Sequence, residues 1–305
     1  MAKSDRSIQA ASARADAYAK INLTLDVIGL RDDGFHEIRS LVIGIDVKDE
    51  VRCTRRSEPG FTLDCADSAL CGDDNLILRA GTALADHTGT RTGLKIELLK
   101  RTPLGAGLGG GSSDAATMLR LCNRLWGLGL DDAGLAEVGS SIGSDVPLFL
   151  SLPSAVITGR GEQVELVSLS WSGWVLLVFA GGGVSTADVY REWRTVDSSQ
   201  VPGGMDAAIL RATTADELSK LVSNQLQPAV FRVSPSIART HQQLQRLGFG
   251  PMTVSGAGST MYRLFDDKND ACHIAAEIEH QGLDVATQVV AAPVGQGPIM
   301  MSEED

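Results

Sequence analysis

Alternating apolar and polar positions predict several half-buried strands near the start of the chain. Within residues 15–25 every second position is apolar or small, so the intervening Lys20 and Asn22 share one face of a strand. A simply solvated face is the ordinary alternative for a lysine in this pattern. Further strands are predicted at residues 41–47, 50–54 and 94–99 and at Phe61–Cys65, with a turn at Lys48-Asp49 between the first two.

Apolar residues at helical spacing predict helices between and after these strands. Leu76, Ala80 and Leu84 share one face of the first, over residues 74–87, with Asp73 or Asp74 as its N-terminal cap. The other predicted helices cover residues 115–126, 131–138, 185–193, 207–222, 236–247 and 270–280.

A second hydrophobic core is predicted in the later part of the chain. Residues 174–179, WVLLVF, are fully apolar, which is typical of a central strand. Residues 252–265 indicate a strand, a glycine-rich turn and a second strand, and residues 284–291 indicate a last strand. A hairpin is expected around Gly161, and the end of the chain from residue 295 is expected to be disordered.

The stretch PLGAGLGGGSSDAAT, residues 103–117, is the most informative segment. Five of its first nine residues are glycine, which can take positive φ and approach a ligand closely. Ser112, Ser113 and Asp114 follow as possible caps of the helix that begins here. Such a loop presents free N–H groups and the positive end of a helix dipole. We therefore expect a site for the phosphates of a nucleotide; a merely flexible turn is the alternative.

Two other types of phosphate loop compete with this interpretation. The Walker pattern requires a lysine after its last glycine, and serine stands there instead. Gly105, Gly107 and Gly110 match the G-x-G-x-x-G pattern of dinucleotide-binding folds, and Asp131 follows about 20 residues later. The alternation in residues 94–99 favours an antiparallel strand and therefore argues against that fold.

Two more residues are candidates because of the turns beside them. His36 follows a turn at Asp33-Gly34, where a lone histidine is most often a surface or capping residue. Asp145 stands just before Val146-Pro147. Proline is favoured in the first turn of a helix, so an N-cap is the structural alternative for this carboxylate.

Composition and charge narrow the class of protein. The chain has 305 residues, enough for two domains or one large one, and its formal net charge is -11. That charge argues against broad binding to nucleic acid or anionic membranes. No apolar run is long enough for a membrane span, and the first 17 residues lack a signal-peptide core, so a cytoplasmic location is expected. The five cysteines form no C-x-x-C pair and predict reduced thiols.

Three separated motifs resemble the GHMP kinase superfamily. They are AYAKINLTLDVIGLRDDGFHEI (residues 17–38), PLGAGLGGGSSDAAT (residues 103–117) and VSGAGSTMYRLF (residues 254–265), with GSDVPLFL (residues 143–150) between the last two. The glycine-rich motif alone indicates only the superfamily. The K-I-N-L and D-G-F-H-E elements resemble the branch whose substrate is 4-diphosphocytidyl-2-C-methyl-D-erythritol.

The resemblance implies an α+β, two-domain GHMP kinase fold with the active site between the domains. An N-terminal ribosomal-protein-S5-like, ATP-binding domain would cover residues 1–160, and a C-terminal ferredoxin-like α/β domain would cover residues 161–305. The expected partners are ATP and the small-molecule substrate, without nucleic acid or membrane, in a monomer or weak homodimer.

The resemblance also implies roles for single residues. Asp145 would be the catalytic base beside Lys20, with Asn22 at the substrate. His36 would stack on the cytosine beside Phe35, where the family commonly has a tyrosine. The ATP site would comprise Asn75 near the adenine, Lys100 at its edge, and Pro103, Leu104, Gly105, Ala106, Gly107, Leu108, Gly109, Gly110, Gly111, Ser112 and Ser113 around the phosphates.

These residue types fit phosphoryl transfer, which depends on positioning and charge neutralisation. Asp145 would accept the proton of the attacking hydroxyl, and Lys20 would keep Asp145 ionised and stabilise developing negative charge. Mg²⁺ would bridge the phosphates, with Ser112 or Ser113 as a ligand because the loop has no acidic residue before Asp114. The alternatives are another GHMP small-molecule kinase (mevalonate-type or homoserine kinase), a dinucleotide-binding dehydrogenase, and an inactive nucleotide-binding module.

Overall fold

The computed structural model describes residues 11–193 and 207–302, which form an α+β fold with two β-sheets. Within these ranges the first sheet consists of β1 (Ser12–Asn22), β2 (Thr24–Leu30), β3 (His36–Arg56), β4 (Phe61–Cys65), β5 (Gly93–Leu99), β6 (Ser154–Thr158), β7 (Gln163–Leu166), β9 (Ser223–Asn224) and β13 (Met300–Ser302). The second consists of β8 (Gly173–Phe179), β10 (Thr253–Val254), β11 (Thr260–Phe265) and β12 (Ala286–Ala292), in the order β10-β11-β8-β12.

Helices pack against both sheets and complete two hydrophobic clusters. They are α1 (Leu76–Thr88), α2 (Gly110–Trp126), α3 (Asp132–Ile142), α4 (Thr186–Trp193), α5 (Ala207–Arg211), α6 (Ala215–Ser219), α7 (Gln227–Val233), α8 (Pro235–Arg246) and α9 (Lys268–His280). No helix in the described part of the chain is long and apolar enough to cross a membrane.

The predicted alternation along β1 is confirmed. Its odd-numbered residues from Ala13 to Ile21 are buried in the hydrophobic clusters, while Lys20 and Asn22 lie together on the other face. The predicted strand at residues 174–179 is also confirmed: β8 lies between β11 and β12 and contributes Val175 to Val178 to the core.

The expected turn at Lys48-Asp49 is wrong, because β3 continues unbroken through both residues. Lys48 pairs with Tyr18 and Asp49 with Ala17 on β1, and the irregularity falls just before them, where Ala19 pairs with Ile45. Asp49 is fully buried, so a polar residue that favours turns by sequence serves here as a buried hydrogen-bond acceptor.

Three predictions about helices are wrong for local reasons: two about caps and one about the extent of a helix. Asn75, not Asp73 or Asp74, caps α1, and its Oδ1 accepts from the N–H of Ile77. The helix after the glycine-rich loop begins at Gly110, so Ser112, Ser113 and Asp114 lie inside α2 and do not cap it. The single helix expected over residues 207–222 is two, because Thr214 caps α6 and accepts from the N–H of Glu217.

Late parts of the chain return to the first sheet. The end of the chain was expected to be disordered from residue 295, but β13 pairs with β1 in antiparallel register. β9 pairs with β2 in parallel. The predicted boundary between domains at residues 160 and 161 stays a prediction.

The dinucleotide-binding alternative is wrong. β5, which precedes the glycine-rich loop, pairs antiparallel with β3 and parallel only with the short β4. Asp131 caps α3, its Oδ1 accepting from the N–H of Gly134. The acidic residue of the apparent pattern therefore has a structural role at a helix start.

Candidate active site

A cavity of about 960 Å³ lies among the first sheet, the start of α2 and α4. It brings together most of the residues predicted from the sequence. Those that line it are Lys20, Asn22, Phe35, His36, Lys100, Pro103, Leu104, Gly105, Ala106, Gly107, Leu108, Gly109, Gly110, Gly111, Ser112 and Asp145.

The glycine-rich loop forms one end of the cavity. Gly105, Gly107 and Gly109 have φ values of 62°, 76° and 71°, in the left-handed region that favours glycine. No side chain caps the first turn of α2. Its backbone N–H groups can therefore bind an anion in the cavity, beside the positive end of the helix dipole.

The third sequence motif supports this loop from behind. A Cβ added to Gly258 would lie 2.0 Å from the backbone nitrogen of Gly107 and 2.1 Å from the carbonyl carbon of Ala106. Ser255 Oγ donates to the Gly107 carbonyl at 2.9 Å, and the N–H of Thr260 donates to the Ala106 carbonyl at 3.2 Å. Only a residue without a side chain allows the two backbones to approach so closely.

Lys20 is a buried cation at the centre of the site, with 5% of its surface exposed. Its Nζ donates to Asn22 Oδ1 at 2.6 Å and to the Gly107 carbonyl at 2.8 Å. Burial lowers the pKa of Lys20, and the carboxylate of Asp145 acts in the opposite direction.

Asp145 is a partly buried residue on the wall of the cavity, two residues before the start of the 3₁₀ helix Pro147–Leu150. The capping position of that helix belongs to Val146, and no side chain caps it. The structural alternative for Asp145, an N-cap, is therefore wrong. Its carboxylate is left to face the cavity that also holds Lys20.

Lys100 lines the cavity but is held by two carboxylates. Its Nζ donates to Asp49 Oδ2 and to Asp114 Oδ2, both at 2.6 Å. Asp49 Oδ1 accepts from the N–H groups of Arg101 and Thr102 at 2.5 and 2.7 Å, at the entrance to the phosphate loop. Burial lowers the pKa of Lys100, but Asp114 and Asp49 raise it by more, so it lies above its usual value.

The opposite end of the cavity is aromatic. The rings of His36 and Tyr190 stack with centroids 4.8 Å apart and planes 25° from parallel, and Trp193 meets His36 edge-on at 5.5 Å. Phe35 is half-exposed, and the guanidinium of Arg160 lies 4.9 Å from its ring centroid.

Several wall residues were missed by sequence reasoning. Tyr190 lies on α4, a helix whose pattern was recognised, and Arg160 lies in the predicted hairpin turn. Neither carries a local sign of a binding site, because only the packing of α4 and of the β6–β7 hairpin brings them to His36 and Phe35. Charge alone could have drawn attention to Arg160.

Two predicted ATP-site residues do not line the cavity. Asn75 uses its side chain at the start of α1, where Nδ2 donates to the Leu70 carbonyl at 2.7 Å, and its neighbour Leu76 lines the cavity instead. Ser113 is buried, and its Oγ donates to the Tyr18 carbonyl at 2.7 Å. Contact of either residue with ATP stays a prediction.

Family models match two parts of the chain. Residues 75–151 match the N-terminal domain of GHMP kinases, and residues 207–283 match the C-terminal domain. The first match covers the glycine-rich loop and Asp145, and the second ends in the loop between α9 and β12.

Named relatives cover most of the chain. A 4-diphosphocytidyl-2-C-methyl-D-erythritol kinase of Geobacter sp. (strain M21) is 39% identical over 86% of this chain and 93% of its own length. An enzyme of the same name from Shouchella clausii is 35% identical over 83% of this chain and 86% of its own length.

Solved structures show the same fold. A crystal structure of 4-(cytidine 5'-diphospho)-2C-methyl-D-erythritol kinase superposes with a TM-score of 0.76 at 28% identity, covering 92% of this chain and all of its own. Homoserine kinase from Cytophaga hutchinsonii superposes with a TM-score of 0.70 at 16% identity, covering 98% of this chain and 99% of its own. The latter likeness concerns the fold alone.

Replacement of Gly258 by alanine is expected to weaken ATP binding, because the new Cβ would push the backbone of Gly107 out of the loop conformation. Calorimetric titration with a non-hydrolysable ATP analogue would measure the loss. Gly29→Ala is the matched control, since no atom lies within 4 Å of its added Cβ. Equal affinities in the two variants would contradict the supporting role of the third motif.

Replacement of Asp49 by asparagine is expected to destabilise the phosphate loop. The amide oxygen of the new side chain can accept from the backbone N–H groups of Arg101 and Thr102, as Asp49 Oδ1 does. The amide NH₂ group would then face the ammonium of Lys100, and two donors would meet. The free energy of unfolding should fall by about 2 kcal/mol, and ATP affinity should fall with it. Chemical denaturation and the same titration would measure both quantities for Asp49→Asn and for the control Asp46→Asn, which changes an exposed position on β3. Equal losses of stability and of ATP affinity in the two variants would exclude a role of Asp49 in holding the loop.

Proposed function

Since this chain belongs to the 4-diphosphocytidyl-2-C-methyl-D-erythritol kinases of the GHMP kinase family, we propose that it phosphorylates the 2-hydroxyl of 4-diphosphocytidyl-2-C-methyl-D-erythritol. The protein is a small-molecule kinase that uses ATP. Its product would be a precursor in the non-mevalonate route to isoprenoids. The observation that carries the proposal is that one cavity combines three features. The glycine-rich loop forms one end, His36 stacks on Tyr190 at the other end, and Lys20 and Asp145 lie on the wall.

The triphosphate of ATP fits the loop end of the cavity. The first turn of α2 has no side-chain cap, and residues 105–109 bring their backbone to the cavity wall. Backbone N–H groups and the helix dipole supply positive potential without mobile side chains. Pro103 to Ser112 would surround the phosphates, and Lys100 would lie at the edge of the nucleotide.

The transfer step is assigned to Asp145 and Lys20. The substrate hydroxyl oxygen attacks the γ-phosphorus, a new P–O bond forms, the bond to the β-phosphate oxygen breaks, and ADP leaves. Asp145 accepts the hydroxyl proton. Lys20 stabilises the negative charge that spreads over the transferring group, and its hydrogen bond to Gly107 keeps it next to the phosphate loop.

Mg²⁺ fits the donor set at the phosphates. The described residues contain no group of three His, Cys, Asp or Glu side chains that could hold a metal alone. Mg²⁺ usually combines few protein ligands with phosphate oxygens and water. Ser112, which lines the cavity, would be the protein ligand of Mg²⁺. The ion would neutralise part of the negative charge of the phosphates.

The aromatic end would bind the cytosine. His36 and Tyr190 already form a stack, and Phe35 adds an apolar wall without the hydroxyl that a tyrosine would bring. Asn22 would contact the substrate near Lys20. A mevalonate-type or homoserine kinase would have no use for such a stack.

One chain supplies every residue of the proposed site, which suits a monomer or weak homodimer. Within the chain, the two domains would meet near residue 160. All five cysteines are free thiols, which suits the reducing cytoplasm.

The test of the proposed function is release of ADP from ATP and Mg²⁺ with 4-diphosphocytidyl-2-C-methyl-D-erythritol, with mevalonate and homoserine as comparison substrates. We expect turnover with the cytidyl substrate alone. Turnover with a comparison substrate instead would keep the kinase fold and overturn the cytosine assignment.

Asp145→Asn is expected to lower kcat by at least roughly 100-fold, because the base is lost. ATP affinity should be unchanged, since the phosphate loop is untouched. The same ADP-release assay and an ATP titration would measure both, with Asp86→Asn as control, at an exposed position of α1 that does not line the cavity. Retained turnover would exclude Asp145 as the base.

His36→Ala is expected to raise the KM for the cytidyl substrate roughly tenfold, because a stacked aromatic contact is lost. The KM for ATP should change little. Steady-state kinetics with each substrate would be measured for His36→Ala and for the control His273→Ala, which changes an exposed residue of α9. A constant substrate KM would argue against the stack on cytosine.

A further inference from the structure

Ser40 lies behind the active-site wall, on β3, and is fully buried. It does not line the cavity and cannot touch a substrate there. Its hydroxyl nevertheless connects to Lys20 through one intervening side chain. Asn22 Nδ2 donates to Ser40 Oγ at 2.7 Å, and Asn22 Oδ1 accepts from Lys20 Nζ at 2.6 Å.

The donors and acceptors in this chain of contacts leave one consistent arrangement. Ser40 Oγ has a single proton and donates it to the carbonyl of Thr24, which cannot donate in return. Ser40 Oγ must therefore accept from Asn22, and the amide atom that faces it must be Nδ2. The other end of the amide, Oδ1, is thereby directed at Lys20, whose ammonium can only donate.

The backbone of Asn22 is fixed independently. The hydroxyl of Tyr262 donates to its carbonyl at 2.9 Å, and its N–H donates to Ser255 Oγ at 3.4 Å. Rotation of the side-chain amide is therefore the freedom that remains, and Ser40 selects between its two orientations. A flipped amide would place two N–H groups against the Lys20 ammonium.

We propose that Ser40 is a positioning residue for phosphoryl transfer: through the amide of Asn22 it holds the Lys20 ammonium in place beside the phosphate loop. This role rests on the proposed function, because it concerns the charge that stabilises the transferring group. Lys20 then has two fixed acceptors, Asn22 Oδ1 and the Gly107 carbonyl, which together aim its remaining proton.

The orientation of Asn22 also bears on the charge of Lys20. Burial already favours the neutral amine, and among the described groups the carboxylate of Asp145 is the charge that opposes it. An amide oxygen at 2.6 Å stabilises the ammonium further, whereas an amide N–H in its place would favour the amine. Loss of the Ser40 hydroxyl should therefore lower the pKa of Lys20. As pH rises, Lys20 would then lose its charge at a lower pH than in the unaltered protein.

The test compares Ser40→Thr with Ser40→Val, two side chains of nearly the same shape that differ in the hydroxyl. Any cost of packing a larger side chain is common to both. We expect the valine variant to have roughly tenfold lower kcat than the threonine variant, with the KM for ATP little changed. The alkaline limb of its pH–rate profile should begin about one pH unit lower. Ser40→Ala is the fallback if the larger side chains do not fold.

Ser154→Thr and Ser154→Val provide the control pair, since Ser154 is another buried serine on the first sheet and donates to the Val167 carbonyl away from Asn22. These two variants should not differ in kcat. Equal kcat and equal alkaline limbs for Ser40→Thr and Ser40→Val would overturn the proposal.

A second measurement does not depend on the substrate. Titration of ¹³Cε-lysine signals by NMR, with Lys20 assigned by its absence in Lys20→Met, should give a lower pKa for Lys20 in Ser40→Val than in Ser40→Thr. If the unaltered protein fails to turn over the cytidyl substrate but this difference appears, the proposed function fails and the effect of Ser40 on Lys20 stands. If turnover occurs and the Lys20 pKa and kcat are the same in both variants, the positioning role fails alone.

Discussion

The contact between two backbones, at Gly107 in the phosphate loop and Gly258 in the turn before β11, is the constraint on which the site depends. A Cβ on either residue would overlap the other backbone. Backbone atoms cannot move aside as a flexible side chain can, so the contact fixes the shape of the loop. The Gly107 carbonyl then accepts from both Ser255 and Lys20, and these two bonds connect the loop to β1 and to the turn between β10 and β11 of the second sheet.

The parts of this arrangement that follow from local pattern could be predicted. Alternation on β1 predicted the common face of Lys20 and Asn22, and the glycines and following helix predicted the phosphate loop. Asp49 was missed because an aspartate beside a lysine favours a turn by sequence. Its place in β3 depends on the loop entrance, which lies about 50 residues later in the chain. Tyr190 was missed for the same reason, since nothing near it in sequence indicates its contact with His36.

The charges of the protein and of its ligands have the same sign. The chain carries a formal net charge of -11, while ATP and a nucleoside-diphosphate substrate are both polyanions. The net charge of the protein therefore opposes the approach of these ligands at long range. Binding has to come from short-range groups: backbone N–H groups of the loop, the buried ammonium of Lys20, and guanidinium groups such as that of Arg160 at the aromatic end. Lys100 adds less positive potential than its position suggests, because Asp49 and Asp114 already pair with it.

The unbroken course of β3 limits how the cavity can move. His36 lies at its first residue, Ser40 a few residues on, and Asp49 beyond the middle. One hydrogen-bonded strand therefore runs behind both the aromatic end of the cavity and the end formed by the glycine-rich loop. These two ends cannot separate along the strand without breaking ladder bonds to β1, β5 or β6. The facing wall has no such ladder bond to β3: α4 reaches this side of the cavity through side-chain contacts, such as the stack of Tyr190 on His36. The two walls of the cavity therefore differ in how they are held, one by backbone hydrogen bonds and the other by packing.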